Sequence, residues 1–178
     1  MTTDHVIRDA TLGDADACAA IYEPYVRDTT LSFEEMPPTG GEMAGRIARA
    51  MEKHAWLVLE RDGEVVGYAY GGRLGVRPAY RWSCEVSVYM ARDRQRQGGG
   101  RALYEALLER LEQRGYRQAL AVISVPNEPS VGLHESLGFK PVGLYENVGY
   151  KKGQWLTTAW MQRQLGEGAS PGRPPEPR

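Results

Sequence analysis

Hydrophobic and polar residues follow two different periods along this chain, and each change of period marks a change of predicted secondary structure. Short runs rich in β-branched and aromatic residues indicate strands. Between two such runs, Asp62-Gly63 is a strong signal for a tight hairpin turn. The predicted strands, in chain order, are Val6–Ala10, Trp56–Glu60, Glu64–Tyr70, Trp82–Met90, Ala119–Val125, Val142–Tyr150 and Trp155–Leu165.

Other segments have apolar residues three and four positions apart, which is typical of amphipathic helices. Thr-x-x-acid capping patterns precede the first two helices, which are predicted to end near Tyr22 and Lys53. A third helix is predicted to end before Gly115, and a short fourth one near Gly138. This order of strands and helices predicts an α/β or α+β fold around one sheet.

The composition is that of one globular domain, since 42% of the 178 residues are hydrophobic and 25% are charged. The pattern places that domain at residues 4–165. Gly, Pro and charged residues dominate the segment 166–178, for which we predict a disordered tail.

Charge and cysteine content exclude several classes of protein. The formal net charge of −1 provides no overall field that would attract nucleic acid or an anionic membrane. The two cysteines, Cys18 and Cys84, suggest reduced interior positions rather than a disulfide framework. Because the chain shows no signal-peptide pattern and no long apolar run, we expect a cytoplasmic protein that neither binds nor spans a membrane.

A glycine-rich motif, Gln95-x-x-Gly98-x-Gly100, joins the strand at Trp82–Met90 to the third predicted helix. Glycines let a ligand approach the backbone, and a helix N-terminus stabilises an anion, so the motif predicts a pyrophosphate site. Spacing alone leaves open a flexible turn with solvated arginines. The motif matches neither the Walker pattern nor the dinucleotide fingerprint.

This motif resembles the acetyl-CoA signature of the GCN5-related N-acetyltransferase (GNAT) superfamily. Within it, the chain resembles the branch that contains the phosphinothricin and methionine sulfone/sulfoximine N-acetyltransferases. The resemblance implies a mixed, mostly antiparallel sheet of about six to seven strands flanked by about four helices. The blocks that carry it are Glu85–Tyr89, Gln95–Gly100, Asn127–Ser130, Leu133–Glu135, Leu137–Phe139 and Val148–Trp155.

The resemblance implies that acetyl-CoA is the co-substrate and that no metal takes part. Backbone groups of Val88, Tyr89 and Met90 would bind the pantetheine arm, and Asn127 would contact it. A helix cap is the alternative role of Asn127. The pyrophosphate would lie on a loop formed by Arg96, Gln97, Gly98, Gly99, Gly100 and Arg101.

Two side chains are candidates for proton transfer. Glu85 lies on the strand face opposite Cys84, and the resemblance implies that it is the general base for the attacking amine. A surface carboxylate or a salt bridge to Arg81 is the alternative. His134 is a candidate proton donor or thiol contact, although a lone histidine on a short helix is more often structural.

A basic loop precedes the Glu85 strand, and guanidinium groups suit a carboxylate or an oxidised phosphorus or sulfur group. The resemblance implies a small amino-acid analogue as acceptor, although Gly75 and Thr157 depart from the branch pattern; a solvated basic loop is the alternative. The candidate substrate contacts are Arg73, Arg77, Tyr80 and Arg81.

Two other functions stay open at this point. One is acetylation of protein N-termini or polyamines, and the other is a non-catalytic acetyl-CoA-binding module. Members of the branch are commonly homodimers, and the last hairpin, with Trp155 and Trp160, is the predicted contact; filling of the core is the alternative role of these tryptophans.

Overall fold

A computed structural model describes residues 5–178, so residue 4, the predicted start of the domain, lies outside the described residues. Seven strands form one sheet, and four α-helices pack on it, which confirms the predicted architecture. The strands are β1 (His5–Asp9), β2 (Ala55–Arg61), β3 (Glu64–Arg73), β4 (Ser83–Met90), β5 (Gln118–Val125), β6 (Lys140–Lys151) and β7 (Gln154–Gln164). The helices are α1 (Ala15–Asp28), α2 (Gly40–Lys53), α3 (Gly99–Gln113) and α4 (Glu128–Ser136).

The strand order is β1-β2-β3-β4-β5-β7-β6, and every neighbouring pair is antiparallel except β4 and β5. That parallel pair has only three residue pairs in register, the last of which is Glu85 with Leu120. Beyond it, β4 stays paired with β3, and β5 stays paired with β7. The two strands therefore diverge, and a V-shaped gap opens with Glu85 at its apex.

Each face of the sheet carries its own hydrophobic core. On one face α3 packs over β2, β4 and β5, where Cys84 and Val86 are buried as the alternation predicts. On the other face α1 and α2 enclose an aromatic cluster that includes Trp56, Tyr68 and, partly buried, Tyr89. Strand β4 contributes to both cores, so its backbone is held firmly on two sides.

The predicted caps and the first hairpin turn are confirmed. The Thr39 hydroxyl accepts a hydrogen bond from the Glu42 amide at 3.2 Å, and the Glu42 carboxylate accepts one from the Thr39 amide at 2.8 Å. Thr11 and Asp14 form the equivalent box ahead of α1. Asp62 and Gly63 both have a positive φ, as a tight turn between twisted strands requires.

Three predicted boundaries are wrong. Strand β3 does not end at Tyr70 but continues to Arg73, because Gly71–Arg73 pair with Cys84–Val86 of β4. Helix α1 does not end near Tyr22 but continues through Pro24 to Asp28, because Tyr25 and Val26 extend its buried stripe by another turn. Strand β4 begins at Ser83, and Trp82 lies outside it rather than beside Cys84 in the core.

Residues 166–178 form no helix or strand, and they lie across the body of the domain. The Trp82 indole N–H donates to the Pro175 carbonyl at 2.9 Å, and the Arg178 amide donates to the Arg114 carbonyl at 2.9 Å. Arg173 lies over the Trp82 ring. The expected disorder of this tail stays a prediction. Whether these contacts form in solution would test it. Among the helices of residues 5–178, none has the length and apolar character needed to cross a bilayer.

Candidate active site

A cavity of about 450 Å³ occupies the gap between the diverging strands β4 and β5. The N-terminal end of α3 and helix α4 close its other sides. Nine residues predicted from the sequence to bind the cofactor or take part in catalysis line this cleft together. They are Val88, Tyr89, Met90, Arg96, Gly98, Gly100, Arg101, Asn127 and His134.

The glycine-rich loop forms an anion cradle at the start of α3. Arg96 and Gly98 have φ values of 60° and 79°, so the chain turns back on itself before the helix begins. The first backbone bond of the helix runs from Ala102 to Gly98, which leaves the preceding N–H groups of Gly99–Arg101 without helical partners. Arg96 and Arg101 add positive charge, and the cradle therefore suits a phosphate or pyrophosphate.

Two residues of the predicted pyrophosphate loop have other roles. Gln97 is exposed outside the cleft, where its side chain accepts a hydrogen bond from Arg61. Gly99 is buried, and a Cβ placed there would approach Leu59 and Met90 to within 2.7 and 2.8 Å. Gly99 therefore allows α3 to pack closely on the sheet rather than contacting the cleft.

Gln95, the first residue of the signature, connects the loop to α1. Its amide donates to the Tyr25 hydroxyl at 2.7 Å, and that hydroxyl donates to the Met90 carbonyl at 2.6 Å. Burial raises the pKa of Tyr25, which keeps the hydroxyl protonated. This relay fixes the end of β4 relative to the anion cradle. Sequence reasoning missed Tyr25 because it follows the core stripe of α1.

Asn127 combines the two roles that the sequence left open. Its side-chain oxygen caps α4 by accepting a hydrogen bond from the Ser130 amide at 3.3 Å. The residue also lines the cleft, and the cap uses only the carbonyl oxygen of the side chain. The amide nitrogen of Asn127 is thus available as a donor to a ligand.

Glu85 is half-buried at the apex of the gap, one residue before the cleft-lining part of β4. Burial raises the pKa of its carboxyl group above the ordinary value. The salt bridge to Arg81 that the sequence allowed is not formed, since Arg81 pairs with Glu176 at 2.8 Å. A carboxylate with a raised pKa at the closed end of a cleft is suited to general base chemistry.

His134 is 3% exposed, and both ring nitrogens have partners. Nδ1 lies 2.7 Å from the Ser130 carbonyl oxygen, and Nε2 lies 3.0 Å from the Tyr104 hydroxyl. Burial lowers the pKa of the ring, and the bond to Ser130 opposes this effect. The imidazole is therefore neutral near pH 7. Sequence reasoning missed Tyr104, which looks like a core residue of α3.

The four predicted substrate contacts are exposed and lie outside the cleft wall, with Arg73 at the end of β3 and the other three on the connection to β4. Arg73 donates to the backbone carbonyls of Gly75 and Val76 within the same loop. Arg81 binds the tail. Arg77 and Tyr80 are exposed, and 47% of the Tyr80 surface is accessible.

A second loop, residues 29–38, borders the cleft through Leu31. Lys151, at the end of β6, is 7% exposed, and its ammonium group donates to the Val26 and Ser32 carbonyls, each at 2.7 Å. Phe33 packs against Gly149, where a Cβ would approach the ring to within 2.4 Å. The last hairpin therefore fixes this loop. The sequence singled out the Val148–Trp155 block, but it did not indicate that this block fixes the loop of residues 29–38.

The chain belongs to the GNAT acetyltransferase family, since the model of the acetyltransferase (GNAT) domain matches residues 7–160. It is 39% identical over 171 residues to a phosphinothricin N-acetyltransferase of Streptomyces viridochromogenes, which covers 96% of this chain and 93% of that protein. It is 37% identical to an L-methionine sulfoximine/L-methionine sulfone acetyltransferase of Pseudomonas aeruginosa, over 89% of this chain and 94% of that protein.

A solved structure of a phosphinothricin acetyltransferase from Sinorhizobium meliloti, in complex with acetyl-CoA, superposes with a TM-score of 0.91. It is 37% identical, and the match covers 97% of this chain and 94% of that one.

The geometry of the cleft itself fits acetyl-CoA. The anion cradle matches a pyrophosphate, and a side chain at Gly98 would force strain because of the positive φ. The gap between β4 and β5 leaves one edge of Val86–Met90 unpaired by β5, as an extended amide-containing arm requires. Within residues 5–178, no cluster of three His, Cys, Asp or Glu side chains is arranged to hold a metal ion.

Proposed function

We propose that this protein transfers the acetyl group of acetyl-CoA to the α-amine of a small amino-acid analogue of the methionine sulfone, methionine sulfoximine or phosphinothricin type. The observation that carries the proposal is the position of Glu85 at the apex of a gap whose far end is the anion cradle. A base and a phosphate site at opposite ends of one cleft suit a direct attack on a thioester.

In this proposal, the anion cradle and the side chains of Arg96 and Arg101 hold the pyrophosphate. The backbone of Val88–Met90 and the Asn127 amide bind the pantetheine arm, which brings the thioester towards Glu85. Acetyl-CoA supplies an activated acyl group with a good leaving group. Backbone N–H groups near Tyr89 and Met90 stabilise the oxyanion that develops on the acetyl oxygen.

Glu85 removes a proton from the substrate ammonium group, directly or through one water molecule. The raised pKa brings the carboxylate closer to the pKa of the amine than an exposed glutamate would be. The amine then attacks without a covalent enzyme intermediate. Cys84, the adjacent thiol, is buried, and burial raises its pKa to about 12, which argues against a nucleophilic role.

The acceptor carboxylate is assigned to Arg77 and Tyr80. Both side chains are exposed on the loop that leads into the Glu85 strand, whereas Arg73 and Arg81 are engaged within the loop and by the tail. In this assignment Arg73 sets the loop shape and Arg81 anchors its end. A guanidinium group that is not otherwise paired binds a carboxylate most strongly.

The proposal is tested by measuring free-thiol release from acetyl-CoA with a panel of acceptors. The panel contains L-methionine sulfone, L-methionine sulfoximine, L-phosphinothricin, spermidine and N-terminal peptides. Saturable turnover confined to the amino-acid analogues is expected. Activity only with peptides or spermidine would overturn the assignment of an amino-acid analogue as the acceptor. Acetyl-CoA binding without any turnover would favour a non-catalytic binding module.

We also propose that the protein is a cytoplasmic homodimer that associates through the last hairpin. Strand β6 is the edge of the sheet, and an exposed apolar edge strand is a site for association. We propose that the protein is cytoplasmic because Cys18 and Cys84 are both free thiols. The exposed hydrophobic side chains of the hairpin are Val142, Leu144, Tyr145, Val148, Tyr150 and Trp155.

Light scattering on the eluting peak of a sizing column tests the dimer. Leu144→Glu is expected to give a monomer, because a charge would be buried in the contact. Leu12→Glu is the matched control, since Leu12 is 61% exposed and far from the hairpin in sequence. A monomeric unmodified protein would overturn the proposal.

A further inference from the structure

Arg61 links the first hairpin to the glycine-rich loop, 36 positions further along the chain. It is the half-buried last residue of β2 and adjoins the tight turn at Asp62-Gly63. Its Nη1 donates to the side-chain oxygen of Gln97, and its Nη2 donates to the backbone carbonyl oxygen of Gln97 at 3.3 Å. One guanidinium group therefore holds both the side chain and the backbone of a loop residue.

The bond to the Gln97 carbonyl fixes the direction of the next backbone N–H group. A trans peptide group is planar, so its N–H points opposite to its C=O. Arg61 holds the Gln97 carbonyl on the hairpin side of the loop, and the Gly98 N–H of the same peptide group therefore points the other way. Gly98 lines the cleft, whereas Gln97 and Arg61 do not. The Gly98 N–H is thus directed at the anion cradle.

The following peptide group is fixed as well. The Gly98 carbonyl accepts the hydrogen bond of the Ala102 amide at 3.1 Å, which begins α3. The backbone on both sides of Gly98 is therefore held, by Arg61 on one side and by the helix on the other. Of these two constraints, only the one from Arg61 comes from a distant part of the chain.

The position of Arg61 is unfavourable for the helix itself. A Cβ placed on Gly99 would lie 3.5 Å from Nη2 of Arg61, so the guanidinium group lies against the first turn of α3. A cation at the N-terminal end of a helix opposes the helix dipole. Both acceptors on Gln97 are uncharged groups. The contact is therefore better suited to ligand binding than to stabilising α3.

We propose that Arg61 is a positioning residue for the pyrophosphate of acetyl-CoA. Through Gln97 it holds the Gly98 N–H towards the phosphate oxygens before the ligand arrives, so less conformational entropy is lost on binding. Arg61 acts through the loop and does not touch the ligand. The inference rests on the part of the proposed function that places the pyrophosphate in the anion cradle, and it does not depend on the acceptor.

The first test is calorimetric titration of Arg61→Met with CoA. This change keeps the length of the side chain and removes the guanidinium group. We expect the Kd of CoA to rise about 5- to 20-fold, in the lower part of the range for one charge-assisted hydrogen bond. Arg49→Met, an exposed position on α2, is the matched control and should keep the Kd within twofold. A Kd within twofold for Arg61→Met would overturn the inference.

Two further titrations separate positioning from a direct charge effect. Arg61→Lys keeps the charge but lacks the planar fork that binds two acceptors, so its Kd should stay close to that of Arg61→Met. Recovery of the unmodified Kd by lysine would overturn the inference. Dephospho-CoA keeps the pyrophosphate, and Arg61→Met should weaken its binding by the same factor. A loss seen only with CoA would mean that Arg61 binds the 3′-phosphate directly, contrary to the inference.

The direction of the Gly98 N–H can be followed without turnover. In nitrogen-15 amide spectra, the Gly98 signal should move downfield when CoA saturates the unmodified protein, and it should move less in saturated Arg61→Met. Equal shifts in both proteins would overturn the role of Arg61 alone. Absence of a shift in the unmodified protein would also overturn the placement of the pyrophosphate in the cradle.

Thermal melts without ligand exclude a merely structural role. Because Arg61 opposes the dipole of α3, the Tm of Arg61→Met should stay within about 2 °C of the unmodified protein. A fall of several degrees together with an unchanged Gly98 shift would assign Arg61 to the stability of the hairpin and would overturn the inference.

Discussion

The two halves of the proposed active site are built in different ways. The half towards α3 consists of backbone groups held by buried packing, with Gly99 pressed against Leu59 and Met90. The proposed acceptor half, towards the β3–β4 loop, lies outside the cleft wall and consists of exposed side chains such as Arg77 and Tyr80. Glu85 lies between them, at the last residue pair that joins β4 to β5.

This difference indicates which half is pre-organised for ligand binding. Main-chain donors fixed by a strand and a helix N-terminus lose little conformational entropy on binding, whereas an exposed arginine must be ordered. Substitutions on the acetyl-CoA side should therefore act through backbone conformation. On the acceptor side they should act through the loss of individual side-chain contacts.

The largest effect is expected at the junction of the two halves. Glu85→Gln should lower kcat about 100- to 10,000-fold, because it removes the base and keeps the shape. The KM of acetyl-CoA should change little, as steady-state kinetics can measure. Glu109→Gln, an exposed position on α3, is the control. An unchanged kcat would remove Glu85 from the mechanism.

The pH profile tests the same residue. Burial raises the pKa of Glu85 above 4.5, and the base must be ionised to work, so kcat/KM should fall as pH drops through that raised pKa. The loss should approach about tenfold per pH unit below it. In Glu85→Gln this acidic limb should disappear. An identical limb in both proteins would assign it to another group.

The next largest effect should lie on the acceptor side alone. Arg77→Ala should raise the acceptor KM about 10- to 100-fold, which corresponds to a charge-assisted hydrogen bond of about 1.5–3 kcal/mol. The KM of acetyl-CoA should stay constant. Arg27→Ala, an exposed arginine of α1, is the control. If both KM values rose together, the two halves would not be independent.

On the acetyl-CoA side, Gly98→Ala should raise the KM of acetyl-CoA about 5- to 30-fold, because a left-handed residue with a Cβ costs about 1–2 kcal/mol. Gly63→Ala has the same strain at φ 82°, but in a remote hairpin turn, so it should lower stability and leave that KM unchanged. Calorimetric titration with CoA separates the two outcomes. If the two variants had the same KM for acetyl-CoA, the proposed role of Gly98 in the anion cradle would be wrong.

The smallest effect on activity is expected from Lys151→Met, which leaves the Val26 and Ser32 carbonyls without their donor. Each buried carbonyl that is left without a donor lowers the free energy of unfolding by about 1–3 kcal/mol, so the Tm should fall by several degrees in a thermal melt. The acceptor KM should rise only about two- to fivefold, since the loop of residues 29–38 loosens. Lys152→Met, the exposed neighbour, is the control.

The sequence predicted what depends on local pattern. Capping at Thr39, the turn at Gly63 and the cradle at Gly98 each rest on residues close together in the chain, where a few dihedral angles decide the outcome. The fold class followed from the same local patterns, together with the resemblance.

Long-range pairings could not be predicted in this way. Tyr104 and His134 each follow an ordinary helix pattern, and only the packing of α3 beside α4 brings them together. Lys151 contacts carbonyl groups more than 100 residues earlier in the chain. The divergence of β4 from β5 likewise depends on strand pairing, for which hydrophobic alternation gives no register.

The short junction between β4 and β5 also affects how the protein behaves when it is handled. Beyond Glu85, the free protein has two strand edges inside its own sheet, and unpaired edges promote self-association in concentrated solution. A molecule that binds between them shields both edges and, by mass action, adds to the free energy of unfolding. Storage life and crystal quality should therefore depend on ligand occupancy as much as on purity.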